Sequence, residues 1–162
     1  IDDSLVEDVE TFTLTMTADG GGFQNVSRSV VVSITSDDTA GIQINNKPDF
    51  IDLNESDTAA TVAVSVQLTS PPAADETVTL SVAPPSDDFS TTQVVFTADN
   101  WDNAQDIIFT VTDDATVEVQ ETFQVKIEAS SSSQDSVFAG VESEELTVRI
   151  TDNDTRGIAL GD

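Results

Sequence analysis

The chain has 162 residues, with five Lys+Arg against 31 Asp+Glu, a formal net charge of −26, and no His or Cys. That composition excludes a Ser-His-Asp triad, a Cys-His pair, a disulfide and a zinc site of the usual ligand set. Its field repels nucleic acid and anionic lipid, and no segment approaches the roughly 20 apolar residues of a membrane-spanning helix.

Taken in chain order, the hydrophobic pattern has a period of two. Phe12, Leu14 and Met16 alternate with threonines, and Val30, Val32 and Ile34 follow the same rule. The pattern returns in Val62 to Leu68, Val78 to Val82, Ile107 to Val111, Phe123 to Ile127 and Leu146 to Ile150. Alternation of β-branched and aromatic residues with Thr and Ser marks half-buried strands. The expected strand cores are 11–17, 29–34, 61–68, 77–82, 91–97, 107–111, 122–127 and 146–150. No amphipathic helix is expected. Many short strands separated by turn residues predict an all-β, antiparallel Greek-key β-sandwich.

The sequence also repeats itself. The run from Asp2 to Phe12 returns as Asp113 to Phe123, a shift of 111 positions, and Ile34 to Ile42 returns as Ile150 to Ile158, a shift of 116. The five extra residues of the second copy are assigned to a hairpin, which is Gly20-Gly21-Gly22 in one copy and Ser130 to Ser133 in the other. A unit of about 115 residues follows. Residues 1–39 read as the last strands of one unit, 40–155 as a complete unit and 156–162 as the opening strand of a third. The opening Ile1-Asp2-Asp3 starts in mid-pattern, as expected of a piece of something longer.

The expected strand cores contain no Asp or Glu. The acids collect between them, at Asp52 and Glu55, Asp87 and Asp88, Asp113 and Asp114, Glu118 and Glu121, and Asp152 and Asp154. Antiparallel strands bring alternate connections to one end of a sandwich, so several of these groups can converge. Two charges about 4 Å apart cost roughly 4 kcal/mol at an effective dielectric near 20. A few such pairs rival the stability of a domain, so either the groups stay apart in water or a cation neutralises them. All-oxygen ligands select Ca²⁺ or Mg²⁺, and loop carboxylates suit the irregular shell of Ca²⁺ better. A solvated acidic surface explains the composition equally well. The sparing of outward strand positions favours the metal.

Four motifs stand out: Val94 to Trp101 followed by Ala104-Gln105, the strand Ile107 to Val111, Asp113-Asp114 with Glu118 and Glu121 before Phe123, and the close Ile150-Thr151-Asp152-Asn153-Asp154. Together they resemble the Calx-beta domain, a module of sodium–calcium exchangers that recurs in tandem in bacterial surface proteins and adhesins. The resemblance covers 40–155 as one unit and 1–39 as the second half of another. It implies an immunoglobulin-like sandwich of about seven strands, in tandem repeat, with Ca²⁺ held at one end. By position it assigns Glu55, Asp88, Asp113, Asp114, Glu118, Glu121, Asp152 and Asp154 to that site. In the partial unit it assigns Asp2, Asp3, Glu7, Glu10, Asp37 and Asp38, a set expected to be incomplete. Val119, Gln120 and Asn153 stand where the exchanger carries acids, as does Ser36 in the partial unit, which implies fewer ions or weaker binding.

Trp101 reads as a structural residue covering a core edge rather than a sugar platform. Glu118 and Glu121 could pair as glycosidase acid and base, but no Arg, Tyr or His is expected around them. The expectation is therefore a non-catalytic, Ca²⁺-binding structural repeat of a large extracellular bacterial surface protein or adhesin, extending or stiffening a fibre beside neighbouring repeats. Two alternatives stand beside it. One is a filament subunit whose N-terminal half-domain is completed by strands from a neighbouring chain. The other is a ligand-binding adhesin module.

Overall fold

The computed structural model describes residues 3–55, 60–134 and 136–157, with residues 19–20 and 23–25 described in backbone only. Among the described residues the chain is all-β, without helix, so no helix is long and apolar enough to cross a membrane. It divides into two compact units, Ile1–Thr39 and Ala40–Asp162.

The first unit is one antiparallel hairpin of β1 (Glu10–Gly20) and β2 (Phe23–Ile34). Both turn residues have positive φ, 60° at Gly21 and 97° at Gly22. This backbone matches the right-handed twist of the flanking strands and is open to glycine at little cost.

The second unit holds nine strands among its described residues. They are β3 (Ile42–Asn45), β4 (Ile51–Asn54), β5 (Thr61–Leu68), β6 (Val78–Ala83), β7 (Phe89–Thr91), β8 (Val94–Phe96), β9 (Gln105–Val111), β10 (Glu121–Ser131) and β11 (Leu146–Thr151). A five-stranded sheet runs β4-β11-β10-β6-β8 and a four-stranded sheet runs β3-β5-β9-β7. Alternate residues of both sheets make a single apolar core, as a β-sandwich requires. Ile51, Leu53, Leu80, Phe96 and Ile127 come from one sheet, Val66, Leu68, Ile107 and Phe109 from the other, and all are fully buried.

Three details differ from the expected pattern. First, the sheets are not antiparallel throughout, because β4 pairs with β11 in parallel. The opening of the unit is split. β3 lies in one sheet, Asn46 takes a left-handed φ of 52°, Pro48 offers no N–H, and β4 continues in the other sheet. Asn tolerates this backbone better than most residues. Second, the expected strand 91–97 divides. Thr92 spends its N–H on the Ile108 carbonyl and its hydroxyl on the Ile108 N–H, after which β8 joins β6 in the opposite sheet. Third, the five extra residues lie in the β10–β11 connection, but Ser130 and Ser131 are still strand: β10 runs on to Ser131 against β6, and in the described part of the connection Phe138 is buried and the Ser143 Oγ accepts from Ile127 N.

The Asn-Trp-Gln motif is structural. Asn100 Oδ1 accepts from Thr97 N at 2.6 Å, Gln105 Nε2 donates to the Val95 carbonyl at 2.8 Å, and Trp101 packs on the core.

Candidate metal centre

The parallel pairing of β4 with β11 creates the site. Asn54 lies opposite Thr151, and Glu55 N donates to the Thr151 carbonyl at 3.0 Å. The residues that leave the two strands therefore emerge side by side. Glu55 follows β4, and Asp152 and Asp154 follow β11. One carboxylate oxygen from each of these three lies within 4.8 Å of the other two.

The remaining acids arrive by antiparallel neighbours. β10 begins at Glu121 opposite Ile150, so the 112–120 crossover passes the same end of the sheet. Phe89 lies opposite Val111, and Thr112 N donates to the Asp88 carbonyl at 2.8 Å, which brings Asp88 to the start of that crossover. Asp152 ties the pole together. Its Oδ2 accepts from Glu118 N at 2.5 Å and its Oδ1 from Asp154 N at 2.6 Å. Asn153 Nδ2 donates to Asp113 Oδ1 at 3.1 Å, and Asp114 Oδ1 accepts from Thr116 N at 2.6 Å.

The electrostatics follow from this geometry. The two backbone N–H donors, from Asp154 and then Glu118, hold Asp152 below the usual carboxylate range against its own desolvation. Its neighbours move the other way. Glu55 is 6% exposed. Burial pushes its carboxyl up, and the charges of Asp152, Asp114, Glu118 and Asp113 add to the rise. Asp154 is raised by desolvation and then by Asp152, Asp113 and Asp114. Glu118 is raised by desolvation and then by Glu121, Asp114, Asp88 and Asp152. All eight acids assigned to the complete unit thus share one field. Glu55 Oε2 and Asp154 Oδ2 are buried and have no hydrogen-bond partner, the arrangement that an all-oxygen cation site calls for.

The set assigned to the partial unit is not brought together in this way. Asp2 lies outside the described residues. Among the described residues Asp3, Glu7, Glu10, Asp37 and Asp38 supply no group of three converging ligand atoms. The local bonding nevertheless repeats. Asp3 Oδ1 accepts from Leu5 N as Asp114 does from Thr116, and Ser36 Oγ accepts from Asp38 N as Asp152 does from Asp154. Ser36 supplies one oxygen and no charge where Asp152 supplies two oxygens and an anion.

Sequence reasoning did not single out Asn153 as a positioning donor or Glu76 as a buried acid. Glu76 sits elsewhere and is satisfied by the Ser131 and Ser136 hydroxyls and Ala73 N. Asp52, expected among the acids between strands, lies on β4 and pairs bidentately with Arg149, whose guanidinium lies 3.7 Å from the Phe50 ring centre.

No protein-family model matches the chain, and no curated protein matches it in sequence. Among solved structures it is similar to a crystal structure of the periplasmic chaperone SfaE, with 9% sequence identity and a TM-score of 0.45 over 75% of this chain. The matched region spans 60% of that chain.

Proposed function

We propose that the pole formed by β4, β11 and the 112–120 crossover binds Ca²⁺, and that the chain is a non-catalytic structural module of an extracellular bacterial surface protein or adhesin. The observation that carries this reading is that Glu55 and Asp154, each with a buried, unpartnered carboxylate oxygen, converge with Asp152. Glu55, Asp152 and Asp154 would hold the ion, with Asp113, Asp114, Glu118, Glu121 and Asp88 around them. A hard divalent cation would supply there a positive charge: the described ion pairs of Lys47, Lys126 and Arg149 engage Glu144, Glu142 and Asp52, and no Lys or Arg is among the charges that shift Glu55, Glu118, Asp152 or Asp154.

These residues do mechanical work. Asp152 already links the crossover to the end of β11, and Glu55 links β4 to the same point. Neutralising the pole fixes three segments distant in sequence, which suits a module that stiffens or extends a fibre. Binding to the folded form stabilises by about 2.7 kcal/mol at 100 times Kd, and millimolar external Ca²⁺ is the natural source.

Thermal melting in Ca²⁺, Mg²⁺, NaCl of matched ionic strength and EDTA tests the reading. A rise of roughly 10 °C is expected with Ca²⁺, with much less for the others. Glu55→Gln is expected to melt higher than the parent in EDTA, because a repelling charge is gone, and to lose most of the Ca²⁺ response. Equal rises with Ca²⁺, Mg²⁺ and NaCl would leave only a solvated acidic surface.

A further inference from the structure

The hairpin of the first unit and the strands β10 and β11 of the second are the same element in two settings. At the shifts of 111 and 116 positions their registers coincide: Glu10↔Ile34 becomes Glu121↔Ile150, Phe12↔Val32 becomes Phe123↔Val148, and Leu14↔Val30 becomes Val125↔Leu146. The 3–9 segment also repeats the bonding of the 114–120 crossover, through Asp3 and Leu5.

The settings differ in cover. Leu14, Met16, Val30 and Ile34 are 51–64% exposed, whereas their counterparts Val125, Ile127, Leu146 and Ile150 are at most 2% exposed. In the second unit this face meets the β3-β5-β9-β7 sheet, while β6 and β4 occupy the outer edges of β10 and β11. Among the described residues the first unit has no counterpart of any of these. A lone two-stranded hairpin is marginal in water, and an apolar face this continuous marks a contact surface.

We propose that the β1–β2 face is a docking surface for a polypeptide segment with the strand pattern of β3–β9, which completes a second sandwich around it. The occupant is specified by the chain's own second unit. An extended segment like β4 adds in parallel along β2, with its Ile51 and Leu53 positions beside Val32 and Ile34. A segment like β6 adds antiparallel along β1, with its Val82 position beside Met16. The β3-β5-β9-β7 equivalent covers the apolar face. Edge pairing supplies the hydrogen bonds, and the alternating apolar side chains set the register. This surface does not depend on the calcium reading, because the apolar side chains that form it bear no ligand atom; Glu10, opposite Ile34, stands only at its end.

The test is the full chain carrying an added copy of residues 40–111 directly ahead of Ile1, compared with the original chain by amide hydrogen exchange. Exchange at 12–16 and 30–34 is expected to slow by about 100-fold or more on extension. A cysteine pair fixes the register, since the chain has no Cys of its own. Met16→Cys with Val82→Cys in the added segment is expected to cross-link readily, and Met16→Cys with Leu80→Cys poorly. Unchanged exchange, or equal cross-linking of the two pairs, would overturn the proposal. So would protection in the original chain that rises with its own concentration, which would give the face to a second copy.

Discussion

Glu76 shows how this acid-rich chain treats a buried carboxylate when no cation is at hand. Desolvation pushes its carboxyl up, but hydrogen bonds from Ser131, Ser136 and Ala73 N outweigh this and leave it below its ordinary value of 4.5. The group ties the loop before β6 to the segment after β10, so Glu76→Ala is expected to cost about 1–3 kcal/mol, measured by urea denaturation at neutral pH. The sign of the pH effect follows from the lowered value. The unfolded state takes up the proton first, so the contribution of Glu76 is fully present above about pH 4.5 and disappears as pH falls through the lower folded value. The difference between the parent and Glu76→Gln should therefore shrink on acidification below that point, and a difference independent of pH would refute the argument. Glu55 is the opposite case. It is as buried as Glu76 but has an orphaned oxygen and four acidic neighbours raising its pKa.

At the level of elements, strand β4 is short yet decisive. Its two inward residues, Ile51 and Leu53, are fully buried, and its parallel ladder to β11 sets where Glu55 emerges. Leu53→Ala is expected to lose about 2–5 kcal/mol of stability. It should also weaken the Ca²⁺ response, although residue 53 bears no ligand atom. Calorimetric titration at a temperature where the variant remains folded separates the two effects. The sequence showed β5, β6, β9, β10 and β11 through long alternating runs. It hid β3 and β4, because Ile42-Gln43-Ile44-Asn45 and Ile51-Asp52-Leu53-Asn54 alternate over only four residues each. The assigned acids could be placed at strand ends from sequence, because charge is costly on the inward face of a strand. Which of them converge could not.

For the whole molecule, the net charge of −26 acts on both units at once. Self-repulsion opposes the compact state, and salt screens it over a distance that falls from roughly 20 Å at low salt to a few Å near 1 M. In EDTA the melting temperature is expected to rise smoothly between 20 and 500 mM NaCl, without saturating as site binding does. A melting temperature insensitive to salt would show that the acids lie too far apart to repel.

The absence of His and Cys excluded a Ser-His-Asp triad and thiol chemistry, and period-two alternation determined an all-β chain, because both are local properties that any short window reveals. Even the repeat, with its registers Glu10↔Ile34 and Glu121↔Ile150, was present in the spacing of the motifs. The tertiary structure alone decided that Glu55 meets Asp152 and Asp154. That meeting depends on β4 running parallel to β11 across nearly a hundred residues of intervening chain, and strand direction leaves no mark on the alternation. Had the same two strands paired antiparallel, these carboxylates would stand at opposite ends of the sheet.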